Sequence, residues 1–372
     1  MMGLSVNVNP NIKKFLIILF CVCIVTSFIF FIYSLCSMCC KSEQIYPIND
    51  TNGGGYINKD GIVVLEQKYG FAGMFVGDYA IVQDENLKYG IINKKGTTVI
   101  DFEYEDLTNL SEDFVIYKEN EKYGYIDIRK NKKSNVVYDA VKPFKEGLAA
   151  VYVDGKWGFI DKRGKCVIEP EYYDASSFSE GLAAVSYSQH ETAGYINKKG
   201  NFVISFNENN LTAKDFHEGL AAVVRGKDLA CSYINKQGKI VIDKDKIYPM
   251  VSFCSNFSEG LAVIYIYNNQ NEITTGYMDK AGNLKYSMTF SIPQNLLPEE
   301  FSAFDTFCSN MAKVTIDYKT GYISNEFQMV IPPVYEFARD FNEDLAYVKF
   351  EEKEGYINKQ GHWIWSKPRE GM

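Results

Sequence analysis

The clearest pattern in the chain is an alternation of apolar and polar positions that is broken by short turns. Residues 148–153 are apolar or β-branched along their whole length, which is typical of a β-strand. Asp154 and Gly155 follow, and this pair favours a two-residue hairpin turn because both central positions of that turn have a positive φ. Residues 157–161 are therefore predicted to form a second strand, antiparallel to the first.

A second tight turn is predicted directly after this hairpin. It spans residues 161–164, where Asp161 opens the turn and Gly164 takes the left-handed position at its end. Residues 165–168 form a third strand, which ends near Pro170 because proline cannot donate to a strand ladder. The unit is thus a three-stranded antiparallel meander.

The same unit recurs along the chain. A block of the type Gly-aromatic-Ile-Asn/Asp-Lys-x-Gly starts at Gly55, Gly90, Gly158, Gly194, Ser232, Gly276 and Gly355, and two altered copies start at Gly124 and Gly321. Successive starts differ by 35, 34, 34, 36, 38, 44, 45 and 34 residues, so we count about nine units. The predicted structural turn glycines are Gly61, Gly96, Gly164, Gly200, Gly238, Gly282 and Gly361.

A second block, of which FKEGLAAVYV from Phe144 is a clear copy, precedes the first in all units but one. Its recurring glutamates are Glu112, Glu146, Glu180, Glu218, Glu259 and Glu343. Each stands just before the residue that starts a strand, so we interpret them as turn residues. A shared cation or ligand groove is the alternative.

Three short strands bury too little surface to be stable alone, so burial must come from packing one unit on the next. We predict an all-β repeat array, an open superhelical stack of three-stranded β-meanders. A propeller-like ring is the alternative. The first unit begins at Gly55 in its second strand, no partner strand follows Trp365, and nine units exceed the usual 4–8 blades of a propeller.

At this point the chain resembles a known family. The segment EGLAAVYVDGKWGFIDKRGKCVIEPEYYDASSF, from Glu146 to Phe178, is similar to the unit of the WG-repeat (KWG-repeat) family, with Lys156, Trp157 and Gly158 as the motif. Other residues stand in the place of the tryptophan in other units: Tyr89, Tyr123, Ala193, Cys231, Thr275, Thr320 and Glu354. The resemblance implies a repeat module without a common catalytic activity.

One repeat position carries an aromatic residue in eight units. The column consists of Tyr56, Tyr125, Phe159, Tyr195, Tyr233, Tyr277, Tyr322 and Tyr356. Such a column is usually a stacking core between units, and this is the interpretation that we favour. An exposed ladder that binds glycans is the alternative.

The N-terminal part of the chain has a different character. Residues 15–38 form an uncharged apolar run long enough to span a bilayer, and we predict an uncleaved transmembrane helix there, with a cleaved signal peptide as the alternative. Lys13 and Lys14 before the run and Lys41 after it favour a single-pass membrane protein with a cytoplasmic N-terminus and the repeats outside the cytoplasm. The remaining boundaries are a tail at 1–14, a linker at 39–54, repeats at 55–365 and a tail at 366–372.

Composition limits the possible functions. Thirty-nine basic and 47 acidic residues give a net charge of −8 over 372 residues, which argues against a nucleic-acid partner. Three histidines and the lack of any familiar catalytic or phosphate-binding motif lead us to predict no enzyme activity, no catalytic residue, no metal and no cofactor. We therefore expect a membrane-tethered, non-catalytic scaffold for protein–protein interaction. The alternative is a module that binds carbohydrate or the cell envelope, so the expected partner is an unknown protein or an envelope glycan.

Overall fold

Strands are the only regular elements in the part of the chain that the structure describes. This computed structural model describes residues 43–135, 137–189, 194–206, 211–225, 230–243, 251–269, 272–291 and 303–369. All described strands belong to one compact unit, Ile45–Met372. Within these ranges the strands form nine antiparallel sheets, which we call blades 1 to 9 in chain order.

The bounds of the strands follow blade by blade. Blades 1 to 3 contain β1 (Tyr46–Asp50), β2 (Gly53–Ile57) and β3 (Val63–Tyr69); β4 (Phe71–Val76), β5 (Tyr79–Gln83), β6 (Tyr89–Asn93) and β7 (Thr98–Tyr104); β8 (Leu107–Ser111), β9 (Phe114–Glu119), β10 (Lys122–Asp127) and β11 (Lys132–Lys133). Blades 4 to 6 contain β12 (Ala140–Val141), β13 (Leu148–Val153), β14 (Lys156–Asp161) and β15 (Cys166–Tyr172); β16 (Asp174–Ala175), β17 (Leu182–Ser186), β18 (Gly194–Asn197) and β19 (Phe202–Ser205); β20 (Leu211–Ala213), β21 (Leu220–Arg225), β22 (Ala230–Asn235) and β23 (Ile240–Ile242). Blades 7 to 9 contain β24 (Val251–Cys254), β25 (Leu261–Asn269), β26 (Glu272–Asp279) and β27 (Leu284–Ser291); β28 (Met311–Ile316), β29 (Lys319–Ser324) and β30 (Met329–Tyr335); β31 (Phe337–Ala338), β32 (Leu345–Phe350), β33 (Lys353–Asn358) and β34 (Trp363–Pro368).

Each predicted meander is extended by a short strand that comes from the segment before it. In blade 4, β13 pairs with β14 across a hairpin in which Asp154 and Gly155 have φ of 49° and 82°. The short strand β12 then covers the other edge of β13, where the N–H of Lys142 donates to the carbonyl of Ala150 at 2.9 Å. Most blades are therefore four-stranded, because the connector satisfies backbone groups that a three-stranded unit would leave open.

Apolar clusters lie between neighbouring blades and run around the whole unit. Eight clusters join blades 1 to 9 in order, and a ninth joins blade 9 back to blade 1. That last cluster contains Tyr46, Ile48 and Ile57 of blade 1 with Leu345 and Tyr356 of blade 9. An open stack of nine units has eight interfaces, whereas the described residues form nine. The fold is therefore a nine-bladed β-propeller ring, the alternative of our two predictions, and the open superhelical array is not found.

The strand β1, which was not predicted from the sequence, lies at the start of the unit. Part of the segment predicted as a linker, 39–54, forms β1, which pairs with β2 from Tyr46 opposite Ile57 to Asp50 opposite Gly53. Three hydrogen bonds then close the ring: Tyr356 Oη donates to Pro47 O at 2.9 Å, Tyr46 Oη donates to Asn342 O at 2.8 Å, and the N–H of Asp344 donates to Tyr46 Oη at 3.2 Å. Closure depends on side-chain packing between blades that are each built from contiguous chain.

The predicted membrane localisation needs correction. Within the described residues no helix has both the length and the apolar character needed to cross a membrane. This finding contradicts the prediction of a single-pass membrane protein. The run 15–38, on which that prediction rested, lies outside the described residues.

Ring closure can be tested at Tyr356. Replacing this buried residue with alanine should lower the free energy of unfolding by about 3–5 kcal/mol, because a large aromatic side chain is removed from a packed interface. Tyr195→Ala, at the same repeat position between blades 5 and 6, is the matched control and should cost a similar amount. Denaturant titration measures both values. A cost for Tyr356→Ala below about 0.5 kcal/mol, as at an exposed site, would show that blades 9 and 1 do not meet in solution.

Candidate functional site

The aromatic column lies in the interfaces between blades. All eight predicted members are at most 5% exposed: Tyr56, Tyr125, Phe159, Tyr195, Tyr233, Tyr277, Tyr322 and Tyr356. The seven tyrosine hydroxyls each donate to a backbone carbonyl of the following blade at 2.6–2.9 Å. The rings are closed off from solvent, so they cannot form a ladder for a sugar.

Burial also fixes the chemical state of these hydroxyls. Loss of solvation raises the pKa of Tyr56 and Tyr233 well above the ordinary value of 10.0, and it raises the pKa of Tyr46 at the closing interface to about 12. Seven column residues also contact an aromatic residue of the next blade at centroid distances of 4.8–4.9 Å. The column therefore acts as a set of protonated donors and packed rings that hold eight of the nine blades to the following blade.

The recurring glutamates also connect blades. Glu146, whose φ is 53°, accepts a hydrogen bond at 2.9 Å from the N–H of Gly181 in the next blade, and its Oε2 lies 3.0 Å from Lys198 Nζ. The same pairing of carboxylate, backbone N–H and turn lysine joins Glu112 to Gly147 and Lys162, Glu180 to Gly219 and Lys236, and Glu218 to Gly260 and Lys280. We call this set of contacts the glutamate–lysine latch.

The latch changes in the last units. Glu259 accepts from the N–H of Asn310 at 3.0 Å, and beyond it the hydroxyl of Ser309 accepts from the N–H of Glu343 at 3.0 Å. The positive φ of these glutamates, 52° for Glu259 and 56° for Glu343, agrees with a place in a turn. The turn was predicted from the sequence and the link to the next blade was not, although the lysine that recurs in the second tight turn of seven units was a signal for it.

The predicted turn glycines all occupy the left-handed region. Their φ values lie between 74° and 87° for Gly61, Gly96, Gly164, Gly200, Gly238, Gly282 and Gly361. In blade 4 the turn is held by Asp161, whose Oδ1 accepts from the N–H groups of Arg163 and Lys165 at 2.8 and 3.0 Å. This turn places Lys162 where it can meet Glu112 of the blade before it.

The motif Lys156-Trp157-Gly158 lies at the start of β14. Trp157 is partly buried, with its ring centroid 5.2 Å from that of Tyr152 and 5.0 Å from Lys142 Nζ. Gly158 is required for space, because a Cβ there would lie 2.6 Å from Ile168 O and 2.7 Å from Pro170 N. Lys156 is partly buried and pairs with Val153 at the hairpin. The motif therefore allows β15 to pack closely against β14.

An exposed apolar row was not predicted. Five valines at one position of the third long strand are 40–49% exposed: Val64, Val167, Val203, Val241 and Val330. We call this row the valine belt. Each stands before an inward-facing Ile or Leu, and since successive strand residues face opposite sides, the valine must face outward. Two adjacent β-branched residues in an alternating strand were the available signal.

Within the described residues no group of three or more His, Cys, Asp or Glu side chains could hold a metal ion. Cys231 and Cys254 are joined as a disulfide between blades 6 and 7, with their Cα atoms 6.3 Å apart. This disulfide was not predicted from the sequence, because these cysteines form no recognisable spacing motif.

The glutamate–lysine latch makes the free energy of unfolding depend on pH in the acidic range. Burial alone would raise the pKa of Glu112 and Glu180, but Lys162, Lys236 and the backbone N–H groups outweigh it, so the pKa of both carboxyls lies below the ordinary 4.5. A depressed folded-state pKa stabilises the protein above pH 4.5, and this stabilisation is lost as pH falls further. The free energy of unfolding should therefore decline below about pH 4.5 in denaturant titrations.

Charge-neutral variants should remove part of this dependence. Glu112→Gln/Glu180→Gln should cost about 1 kcal/mol at pH 7, since the carboxylates are partly screened by solvent, and should flatten the acid decline. Glu105→Gln, whose parent side chain is 86% exposed, is the control and should leave the decline unchanged. An identical acid profile for the double variant and the parent would contradict the latch.

The turn assignment can be tested at Gly164. No atom lies within 4 Å of a Cβ built at this glycine, so Gly164→Val should destabilise through backbone strain alone, by roughly 1–3 kcal/mol. Lys165→Val, one residue later and exposed, should change stability by less than about 0.5 kcal/mol. Equal stabilities of the two variants in thermal unfolding would contradict a left-handed backbone conformation at position 164.

The fold is similar to that of a solved structure. The chain is similar to the crystal structure of the eukaryotic initiation factor, with a TM-score of 0.56 and 11% identity over 88% of this chain and 96% of that chain. Kluyveromyces lactis Hsv2p matches with a TM-score of 0.39 and 12% identity, over 79% of this chain and 94% of that chain. Puromycin hydrolase matches with a TM-score of 0.36 and 7% identity, over 77% and 58%. The first similarity concerns the fold alone, and the other two are too weak to carry an argument.

A comparison with curated proteins finds no match. A family model described as a WG containing repeat, however, matches seven segments: 55–87, 89–123, 123–157, 157–188, 194–227, 232–269 and 321–353. These segments cover more than half of the chain, and they fall on the blades whose latches and aromatic contacts are described above. The chain therefore belongs to the family of proteins with the WG containing repeat.

Proposed function

We propose that this protein is a non-catalytic scaffold for protein–protein interaction. The observation that carries the proposal is the valine belt, a row of half-exposed apolar side chains at one repeat position of five blades. Exposed apolar side chains that lie together are typical of a contact surface for another protein. The valines lie in blades 1, 4, 5, 6 and 8, so a partner that spans the consecutive blades 4 to 6 would meet three equivalent contacts.

The repeated polar residues support a structural role for the motif. Glu146 already binds the N–H of Gly181 and Lys198, and the column hydroxyls already bind backbone carbonyls. Residues that are engaged between blades are not available for a substrate. Recognition is therefore left to positions that face outward from the blades.

The energetics suit a partner that contacts several blades. Each half-exposed valine would contribute roughly 1 kcal/mol when covered, so one contact is weak and several together are substantial. The net charge of −8 favours a basic or neutral partner, whose association would slow as salt increases.

The glycan alternative loses its support. It rested on an exposed aromatic column, and the column is buried between the blades. No other observation favours it, so a single function is proposed.

The test places a photo-crosslinking residue at position 203 of the full-length protein. We expect defined protein adducts from position 203, with less adduct when Val167→Lys and Val241→Lys flank it. A crosslinker at position 87 is the control, because Leu87 is 69% exposed and lies outside the belt. Equal adducts at 203 and 87, or adducts insensitive to the flanking lysines, would contradict the proposal.

A further inference from the structure

Within the described residues, blade 1 has three strands where its neighbours have four. Its sheet has the order β1-β2-β3, in which β1 corresponds to the second strand of the other blades and forms the edge. In blade 8 the equivalent position is filled by an isolated bridge from Phe304 to Val314. Among the described residues, blade 1 is thus the blade whose first-strand position is not filled by the chain.

At the edge of β1, a side chain makes the hydrogen bond that a first strand makes in other blades. In blade 4 the carbonyl of Ala150, which pairs with the column residue Phe159, accepts from the first strand through the N–H of Lys142. In blade 1 the equivalent residue is Pro47, opposite Tyr56, and its carbonyl accepts from the hydroxyl of Tyr356 instead. A side chain of blade 9 has replaced the missing strand.

A pocket of about 580 Å³ occupies this position. Pro47 and Asn49 of β1 form one wall, Phe71 comes from the first strand of blade 2, and Phe337 comes from the first strand of blade 9. The two phenylalanines are 46% and 43% exposed. The volume lies in the range of sites for small organic molecules.

The pocket is basic although the protein is acidic. Its lining contains Arg339, Lys349, Lys367 and Arg369 against one carboxylate, Glu354. Two acids outside the lining act on these cations, since Arg369 is paired with Glu336 and Lys367 also interacts with Asp50. Arg339 adds a further positive charge to the lining. The chain as a whole carries a net charge of −8, so this local excess is the reverse of the overall balance.

Glu354 arranges two of the cations. It stands at the motif tryptophan position of the last unit and is 7% exposed, directly between Lys349 and Lys367 in the strand register. Lys349 Nζ lies 2.9 Å from Oε2, an ion pair without hydrogen-bond geometry, and Lys367 Nζ lies 3.3 Å from Oε1. One carboxylate shared by two ammonium groups orients both.

A small ligand fits this gap better than an added strand. Pro47 has no N–H to donate, and its carbonyl is already occupied. The side chain of Asn49 also binds both backbone groups of Ala72, at 3.0 and 2.7 Å, and so ties β1 to β4. An incoming strand would find few backbone groups to pair with.

We propose that the pocket at the missing strand of blade 1 binds a small organic anion. Its phosphate or carboxylate group would lie against Arg339, Lys349 and Lys367, and a flat apolar part would pack on Phe71 and Phe337. Guanidinium and ammonium groups are the usual partners of such anions in partly desolvated sites. The inference goes beyond the scaffold function and does not use the valine belt.

The test measures binding of simple probes to the full-length protein by isothermal titration calorimetry. The probes are phenyl phosphate, benzoate, inorganic phosphate and phenol. We expect phenyl phosphate or benzoate to bind more tightly than inorganic phosphate, phenol to show no binding, and added salt to weaken the anions. The order of phenyl phosphate and benzoate identifies the preferred anionic group. Binding of phenol as tight as that of phenyl phosphate, or no heat from any anion, would overturn the proposal.

Variants separate a binding role from a structural one. Arg339→Gln, at an exposed arginine, should raise the Kd of phenyl phosphate about tenfold, as expected for one charged contact, while the melting temperature stays unchanged. Glu354→Gln should lower the Kd several-fold, because it releases both lysines to the ligand even as the protein becomes less stable. Arg163→Gln, in an exposed turn of blade 4, is the matched control and should change nothing. An unchanged Kd for Arg339→Gln together with weaker binding for Glu354→Gln would refute the site.

Discussion

The constraint on which this structure depends is that a blade of three or four short strands cannot bury its own faces. Every blade must therefore bury its faces against the next blade, and these interfaces must continue around the ring until the last blade packs against the first. The column tyrosines satisfy this demand in two ways, since the ring fills the interface and the hydroxyl satisfies a carbonyl of the neighbouring blade. A phenylalanine such as Phe159 keeps the packing and gives up the hydrogen bond.

The closing interface between blades 9 and 1 uses a tyrosine hydroxyl in place of the usual latch. No clear copy of the glutamate block precedes the second long strand of blade 1, and the usual latch is not found between the described parts of blades 9 and 1. Tyr46 takes over part of that role, because its hydroxyl both donates to Asn342 O and accepts from the N–H of Asp344. Burial raises the pKa of this hydroxyl from 10.0 to about 12, so it stays a donor further into the alkaline range than an exposed tyrosine would.

Features that are set within one unit could be predicted from the sequence, and features that depend on packing between units could not. The hairpin at Asp154-Gly155 and the turn at Gly164 follow from local backbone preferences, which a single unit already displays. The closing strand β1 carries no repeat motif, so nothing local marked residues 46–50 as the partner of β2. The link between Glu146 and Lys198 spans two units, and such a contact is fixed only by the packing angle between blades. The valine belt and the disulfide between Cys231 and Cys254 were missed for the same reason, because each depends on which side of a strand faces a neighbour.

Departures from the repeat therefore carry the information that distinguishes this chain from a generic ring. At most blades the motif tryptophan position is filled by an uncharged residue, whereas blade 9 places Glu354 there and surrounds it with Lys349 and Lys367. A buried carboxylate is costly unless it is paired, and the two lysines supply that pairing. Arg339 adds a further positive charge at the same place, and the described residues place no first strand on blade 1, so the space beside these side chains is open. Charge and space coincide at the seam because that is where the repeat is interrupted, and a ring of nine identical blades would have neither.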